Sequence, residues 1–173
     1  MTFTFTENLP DHLLVPPVLI SGQHSLQFGG VEYLLIQNGA VVNVYQICYQ
    51  YSCGPFKAAT IQNGILAVGH QGHFYLFDLS HQKSLLILKL DVYFSELAIS
   101  GSMFYVADTC GIYAVNIAGQ VQWSNLHLAL DGVVINRIAD NKIYGKGEHN
   151  PPGGWEPFVL DAKTGKKIEE NVS

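Results

Sequence analysis

Two histidines separated by two residues are the most chemically suggestive feature of the sequence. His70 and His73 flank Gln71-Gly72, and a metal ion would need further ligands, such as Asp108 or His149, from distant parts of the chain. If these four side chains converged on one pocket, the protein would be a small enzyme or a ligand-binding protein. Because no local sequence completes the ligand set, we predict no bound metal and no cofactor.

Nucleophilic chemistry has equally little support. Cys110 lies in the segment ADTCG, and a distant histidine would have to activate it. Nothing near Cys110 in sequence would lower the pKa of its thiol, so a structural role is favoured. The sequence also lacks a G-x-S-x-G elbow, an H-E-x-x-H helix motif and a Walker loop. We therefore predict that the protein is not an enzyme.

The segment GEHNPPGGWEP, residues 147–157, is unlike the rest of the chain. Asn150-Pro151-Pro152 disfavours a helix, and Gly153-Gly154 permits positive φ, so the segment is expected to form a protruding loop. The loop is either a tolerated surface insertion or a partner-contact loop in which Trp155 is an aromatic anchor. Loop position and charge select seven candidate partner-binding residues, which are Glu96, Asp108, Asp131, Glu148, His149, Trp155 and Glu156.

The elements that position these residues are predicted from an internal repeat. Each copy has a turn dipeptide, an apolar strand, a second break and another apolar strand that ends in a polar residue. Successive polar residues are 32, 38 and 45 positions apart, and they are Gln46, Asp78, Asn116 and Asp161. The last interval contains six extra residues between the second and third strands, and the 147–157 segment supplies them.

Each copy also has flanking strands, so that four antiparallel strands recur at about 40 residues, the pattern of a propeller blade. Turn signals such as Asn63-Gly64 suit tight hairpins, and the short runs of Val, Ile, Phe and Tyr indicate strands and not helices. The sequence predicts one all-β domain over residues 1–173, a half-propeller or a small β-propeller. The four repeats span approximately residues 21–55, 56–91, 94–130 and 133–171.

Two hairpins resemble a known repeat. IYAVNIAGQVQW, residues 112–123, and FVLDAKTGKKI, residues 158–168, resemble the third-to-fourth-strand hairpins of quinoprotein-type β-propellers. The turn from Asp161 to Gly165 matches that repeat closely, Asn116 to Gly119 is a shorter version, and Trp123 stands at the repeat tryptophan. The resemblance covers residues 56–168 and implies blade architecture, but it does not imply an activity.

Complete propellers of this type have seven or eight blades, so closure is an open question. The chain forms an open half-propeller, closes alone into a four-bladed ring, or joins a second copy in an eight-bladed homodimer. An open half must protect its end strands. The alternating segment TFTFTE at residues 2–7 is expected to supply a covering strand.

Composition and charge narrow the possible partners. Apolar residues make up 48 % of the 173 residues and charged residues 13 %, and the net charge is −5. Residues 1–136 contain eight acidic and three basic residues, which disfavours nucleic-acid binding and favours a cationic protein partner. No membrane-spanning run or secretory signal is recognised, so Cys48, Cys53 and Cys110 are expected to be reduced thiols of a cytoplasmic protein.

In size, charge and scaffold the chain is similar to the small immunity proteins of bacterial contact-dependent toxin systems, although no shared motif carries the similarity. The similarity implies a non-enzymatic binding module that covers the active site of a basic toxin, such as a ribonuclease. The alternatives are a small rim-loop enzyme or ligand-binding protein that uses His70, His73, Asp108 and His149, and a scaffold half that dimerises into an eight-bladed ring.

Overall fold

A computed structural model describes residues 1–10, 13, 16–21 and 29–169. Within these ranges the chain forms fifteen β-strands and no helix, as the all-β prediction required. The strands are β1 (Thr2–Thr6), β2 (Val18–Leu19), β3 (Gly30–Asn38), β4 (Val41–Tyr49), β5 (Lys57–Gln62), β6 (Ile65–His70), β7 (His73–Asp78), β8 (Lys83–Lys89), β9 (Phe94–Ser100), β10 (Met103–Asp108), β11 (Ile112–Asn116), β12 (Val121–Asn125), β13 (Val133–Ala139), β14 (Lys142–Glu148) and β15 (Trp155–Asp161).

The strands form four separate sheets that follow one another along the chain. The second and third sheets are antiparallel blades with the strand orders β5-β6-β7-β8 and β9-β10-β11-β12, and the fourth has the order β13-β14-β15. Short apolar runs bounded by tight turns produce these meanders, and Asn63, Gly64 and Gly101 have the positive φ that such turns need. The predicted blade architecture is therefore confirmed.

The fourth strand predicted for the last repeat is only partly present. Lys167 forms a single bridge with Leu160, and the Ile168 amide donates to the Val159 carbonyl at 2.8 Å. The rest of the predicted strand, beyond residue 169, lies outside the described residues.

The sheets stand side by side with their first strands innermost. Strand β1 contacts β5, β5 contacts β9, and β9 contacts β13, whereas no contact of similar extent joins the first and fourth sheets within the described residues. The sheets thus form an open row, as in a half-propeller. The strands of all sheets end on two opposite rims of the row. One of them, which we call the upper rim, carries the hairpin turns 71–72, 109–111 and 149–154 and the connecting segments 50–56, 90–93 and 126–132.

The first sheet differs from the predicted repeat. Its order is β1-β3-β4-β2, so TFTFT is its innermost strand, and the short β2 pairs in parallel with β4 at its outer edge. The segment HSLQF, expected to be the first strand of this repeat, lies outside the described residues. The expected strand at residues 49–52 does not form, since β4 ends at Tyr49.

The first sheet also runs in the opposite direction from the other three. Tyr49, at the end of β4, packs against His70 at the upper rim, and Tyr45 packs against Phe77 farther from it. The β3-β4 turn at Gly39 therefore lies at the opposite end from the equivalent turn, 71–72, of the second sheet. Aligning the first repeat with the others was wrong in direction, because the sequence pattern of an apolar hairpin reads the same in both orientations.

Apolar packing between neighbouring sheets holds the row together. One cluster, with Leu34, Ile47 and Tyr75, joins the first and second sheets. A second, centred on Phe74 and Phe104, joins the second and third sheets, and a third, with Ile112 and Leu160, joins the third and fourth. Every residue of β6 is buried, which explains its apolar run from Ile65 to Gly69.

The contact between the second and third sheets can be tested at Gly69. A Cβ atom at this position would lie 2.1 Å from Cε2 of Phe94, whose ring is fully buried and cannot move aside. We expect Gly69→Ala to lower the free energy of unfolding by roughly 1–3 kcal/mol, as measured by urea denaturation. Gly72→Ala is the control, because the nearest atom to its Cβ would be 3.4 Å away; equal stability of the two variants would contradict the described packing.

Candidate functional site: a groove at the upper rim

Backbone hydrogen bonds tie the connecting segments of the upper rim to the hairpin turns. The Phe94 amide donates to the Gln71 carbonyl at 2.7 Å, and the Gly132 amide donates to the Thr109 carbonyl at 2.7 Å. The side chain of Gln71 accepts hydrogen bonds from the amides of Cys53 and Gly54. These bonds fix the connecting segments against the turns, so the rim is a preformed surface.

Asp108 is part of that framework and is not a surface contact. Its side chain is fully buried, and Oδ1 accepts hydrogen bonds from the amides of Cys110 at 2.9 Å and Gly111 at 2.8 Å. Its other oxygen lies 3.4 Å from the Tyr113 hydroxyl, which donates to it. Burial, together with the negative charges of Asp108 and Asp91, raises the pKa of Tyr113 to about 12.

Glu148 is also turned inward. Its side chain is buried, and Oε1 accepts a hydrogen bond from the Gly153 amide across its own loop. The six-residue loop 149–154 is closed by the facing pair Glu148 and Trp155 and by a 2.9 Å bond from the His149 amide to the Gly154 carbonyl. The extra residues of the last repeat therefore lengthen the hairpin and build a self-contained turn at its tip.

A buried ionic cluster joins the first sheet to the second at the same rim. His70 Nε2 lies 2.6 Å from Glu32 Oε2, and Lys57 Nζ lies 2.5 Å from Glu32 Oε1. The imidazole is fully buried between Phe5 and Tyr49, and no described residue is a hydrogen-bond partner of its Nδ1 atom. The sequence did not predict this cluster, because Glu32 and His70 are 38 residues apart in the chain.

The pKa values of His70 and Glu32 are both lower than their ordinary values. Burial lowers the pKa of His70, although the nearby Glu32 carboxylate acts in the opposite sense. For Glu32, burial alone would raise the pKa, but the hydrogen bonds from Lys57 and His70 outweigh it and hold the pKa below its ordinary value. A neutral imidazole that donates from Nε2 to a carboxylate ion is consistent with both shifts.

The alternative pocket of His70, His73, Asp108 and His149 does not form. His70 and His73 face each other across the β6-β7 pair, but the side chains of His70 and Asp108 are buried in the separate contacts described above. His149 belongs to the self-contained loop. In the ranges that the structure describes, no three His, Cys, Asp or Glu side chains are grouped as metal ligands would be. A site of that composition was therefore the wrong interpretation of these four residues.

The surroundings of the three cysteines do not favour a reactive thiol. Burial raises the pKa of Cys48 and of Cys53, which disfavours the nucleophilic thiolate. The Cys110 sulfur lies near the Thr109 hydroxyl and the Leu130 carbonyl, in the turn held by Asp108.

The upper rim contains an open groove with a volume of about 510 Å³. It lies where the inner strands β9 and β13 begin, and the connecting segment before β5 forms one wall. Phe56 is 50 % exposed and Trp155 is 42 % exposed, although both are large aromatic residues. The residues that line this rim groove are Phe56, Tyr93, Ser95, Glu96, Thr109, Asp131, Gly132, Val133, Val134 and Trp155.

The aromatic wall depends on a glycine. A Cβ atom at Gly132 would lie 2.8 Å from Cη2 of Trp155, so only glycine lets the indole lie against this connecting segment. In the same groove, Glu96 Oε2 accepts a hydrogen bond from the Ile135 amide at 2.7 Å, which fixes that carboxylate and links β9 to β13. Asp131 is exposed at the edge of the groove.

The structure brings three of the seven predicted partner-binding residues together in the rim groove: Glu96, Asp131 and Trp155. Asp108 and Glu148 are buried in turns, His149 is half-buried in its loop, and Glu156 is exposed on β15 outside the groove lining. Sequence reasoning missed Phe56 and Tyr93. Their signal was available, because each is an aromatic residue in a segment that connects two blades.

The chain has a fold of the β-propeller type, with blade-like sheets in an open row. One similar solved structure is the crystal structure of BamB from Moraxella catarrhalis, with a TM-score of 0.56 and 14 % sequence identity over 79 % of this chain and 42 % of that chain. The chain thus spans less than half the length of BamB, and the likeness shows the fold alone. No family model and no curated protein matches the sequence. No helix in the described ranges is long and apolar enough to cross a membrane.

The buried His70–Glu32 pair predicts that acid destabilises the fold. The ordinary pKa values are 6.5 for His70 and 4.5 for Glu32, and folding lowers both. The unfolded chain therefore binds more protons in acid, and the free energy of unfolding must fall as the pH falls. The contribution of His70 is complete above pH 6.5 and is lost below it, and that of Glu32 is lost below pH 4.5.

The variant His70→Gln tests this, since glutamine can still donate to Glu32 but does not titrate. We expect urea denaturation between about pH 7 and pH 5 to show a shallower loss of stability in this variant than in the wild type. The exposed His127 provides the control His127→Gln. If wild type and His70→Gln lost stability in parallel, His70 would not be the group responsible.

Proposed function

We propose that the protein is a non-enzymatic binding module that recognises a basic protein through the rim groove. The groove itself is the observation that supports this most directly. It exposes two large aromatic side chains beside two carboxylates, on a rim whose connecting segments are fixed by hydrogen bonds. Exposed aromatic residues in a partly enclosed, preformed site are typical of interface hot spots.

The surroundings of the groove extend the apolar surface. Tyr51 and Leu130, on the connecting segments of the same rim, are 70 % and 66 % exposed, and Val134 adds a third exposed side chain. Several large exposed apolar side chains on one rim favour an interaction surface there. With a net charge of −5, the protein would attract a cationic partner and orient it before contact.

Within this class we propose the specific role of an immunity protein. A toxin that cleaves RNA presents lysine, arginine and histidine side chains to phosphate groups. An acidic, aromatic surface can occupy those cations and cover the active site without performing any chemistry itself. The module would then act in the cytoplasm of the cell that the toxin enters.

An eight-bladed homodimer is the second candidate. The open row of sheets and the coverage of 42 % of BamB favour it, because two copies would complete a ring. A mass near twice 19.0 kDa in solution would support the ring, and a monomer would count against it.

Co-expression with the basic product of the gene immediately upstream tests the immunity role. We expect the two proteins to co-purify and the growth arrest caused by that product to be relieved. Trp155→Ala should weaken the complex at least about tenfold, because truncating an aromatic hot spot costs about 2 kcal/mol or more. Added salt should weaken the wild-type complex, and Asp131→Asn should reduce that salt dependence.

The matched controls lie away from the groove. Ile87→Ala removes an exposed apolar side chain of the outer strand β8, and Asp140→Asn removes a carboxylate from the β13-β14 turn. Both should bind as the wild type does. Growth arrest that persists despite co-expression, or an upstream gene without a basic product, would contradict the immunity role. A complex unaffected by Trp155→Ala would place the interface elsewhere.

A further inference from the structure

We infer that the rim groove recognises an arginine side chain of its partner, an inference that rests on the proposed binding function. Its charged lining residues within the described ranges are Glu96 and Asp131, both acidic. Lys57, the base next to Phe56 in sequence, is already paired with Glu32. Among the described residues no lysine, arginine or histidine lines the groove, and the nearest base on a lining strand pair is Lys146, across from Val134. The lining therefore carries negative charge only.

The two carboxylates suit different parts of one cation. Glu96 is held in place by the Ile135 amide, so it is a fixed negative charge at the inner wall. The carboxylate of Asp131 has no hydrogen-bond partner among the described residues, and it is exposed and able to receive two parallel N–H donors. Guanidinium supplies paired donors of that kind, and it binds carboxylates in a bidentate manner.

The aromatic walls select the same group. Phe56 and Trp155 are each about half exposed, and Tyr93 is half-buried in the same groove. A planar, weakly hydrated guanidinium stacks on such rings, whereas the compact ammonium of lysine keeps its water more strongly. A purely apolar side chain would contact the rings but would leave the carboxylates without a charged partner.

The size of the groove agrees with a single long side chain and a short piece of backbone. Its volume of about 510 Å³ is within the usual range of small-molecule sites. Gly132 keeps the Trp155 indole at the edge of this space, as its missing Cβ permits. Val134, which is exposed at the groove, can contact the methylene stem of an arginine.

Three short peptides that differ in one side chain test the inference. They are acetylated and amidated Gly-Ala-X-Ala-Gly, in which X is arginine, lysine or citrulline, the neutral isostere of arginine. Titration into the ¹⁵N-labelled protein follows the Trp155 indole N–H and the Asp131 amide. We expect saturable shifts of both signals, with affinity about fivefold higher for arginine than for lysine and weakest for citrulline.

Variants locate the effect. Trp155→Ala should remove the preference for the arginine peptide over the lysine peptide. Asp131→Asn should weaken binding of the arginine peptide until its affinity is close to that of the citrulline peptide. Gly132→Ala should weaken arginine binding by displacing the indole, and Asp140→Asn is the control that should change nothing. Equal affinity for arginine and lysine, shifts confined to other residues, or no saturable binding of any peptide would overturn the inference.

The peptide result is distinguishable from the proposed function. A basic partner that binds through Trp155 while the peptides show no arginine preference would overturn only the arginine inference. Arginine-selective peptide binding by a protein that fails to relieve toxin-induced growth arrest would overturn only the immunity role.

Discussion

The structure depends on the requirement that each sheet bury its apolar faces against the next sheet. In β6 every side chain is buried, so the second sheet needs a neighbour on both sides. The clusters around Leu34 and Ile47 on one side and Phe74 and Phe104 on the other supply those neighbours. No sheet of this kind is stable alone, because an isolated small sheet leaves too much apolar area in water. The row of sheets is therefore one cooperative unit.

The same packing creates the functional surface. Neighbouring sheets are joined by segments that leave β4, β8 and β12 and cross to the inner strand of the next sheet, and these segments lie at the upper rim. The Gln71 side chain fixes one crossing through the amides of Cys53 and Gly54, and the Asp108 side chain fixes its own hairpin turn. Both side chains are therefore buried and unavailable to a partner. Side chains that the crossings cannot bury, such as Phe56 and Trp155, remain at the surface and form the rim groove.

Local patterns predicted the blades well, because tight turns and alternating strands are set by neighbouring residues. The turn at Asp161 is an example: Oδ1 accepts hydrogen bonds from Lys163 and Thr164, as the Asp-Ala-Lys-Thr-Gly sequence suggested. The direction of the first sheet was not predictable in this way, since it is decided by contacts such as Tyr49 with His70. The residues of the candidate site were predictable only in part, because the sequence does not show which side chains are buried. Charge and loop position selected Glu96, Asp131 and Trp155, but only the fold could show that Asp108 is enclosed by its own turn.

The reversal of the first sheet makes the two lateral faces of the row, on the first sheet and on the fourth sheet, unlike each other. The inner strands β5, β9 and β13 run away from the upper rim, whereas β1 runs toward it, as its pairing with β3 and the stacking of Phe5 on His70 require. A partner that packs on the first sheet therefore meets β1 running toward the upper rim, whereas one that packs on the fourth sheet meets β13 running away from it. A ring of two copies would join these unlike faces, the fourth sheet of one copy to the first sheet of the other. That junction would repeat the mixed strand polarity that already exists between β1 and β5.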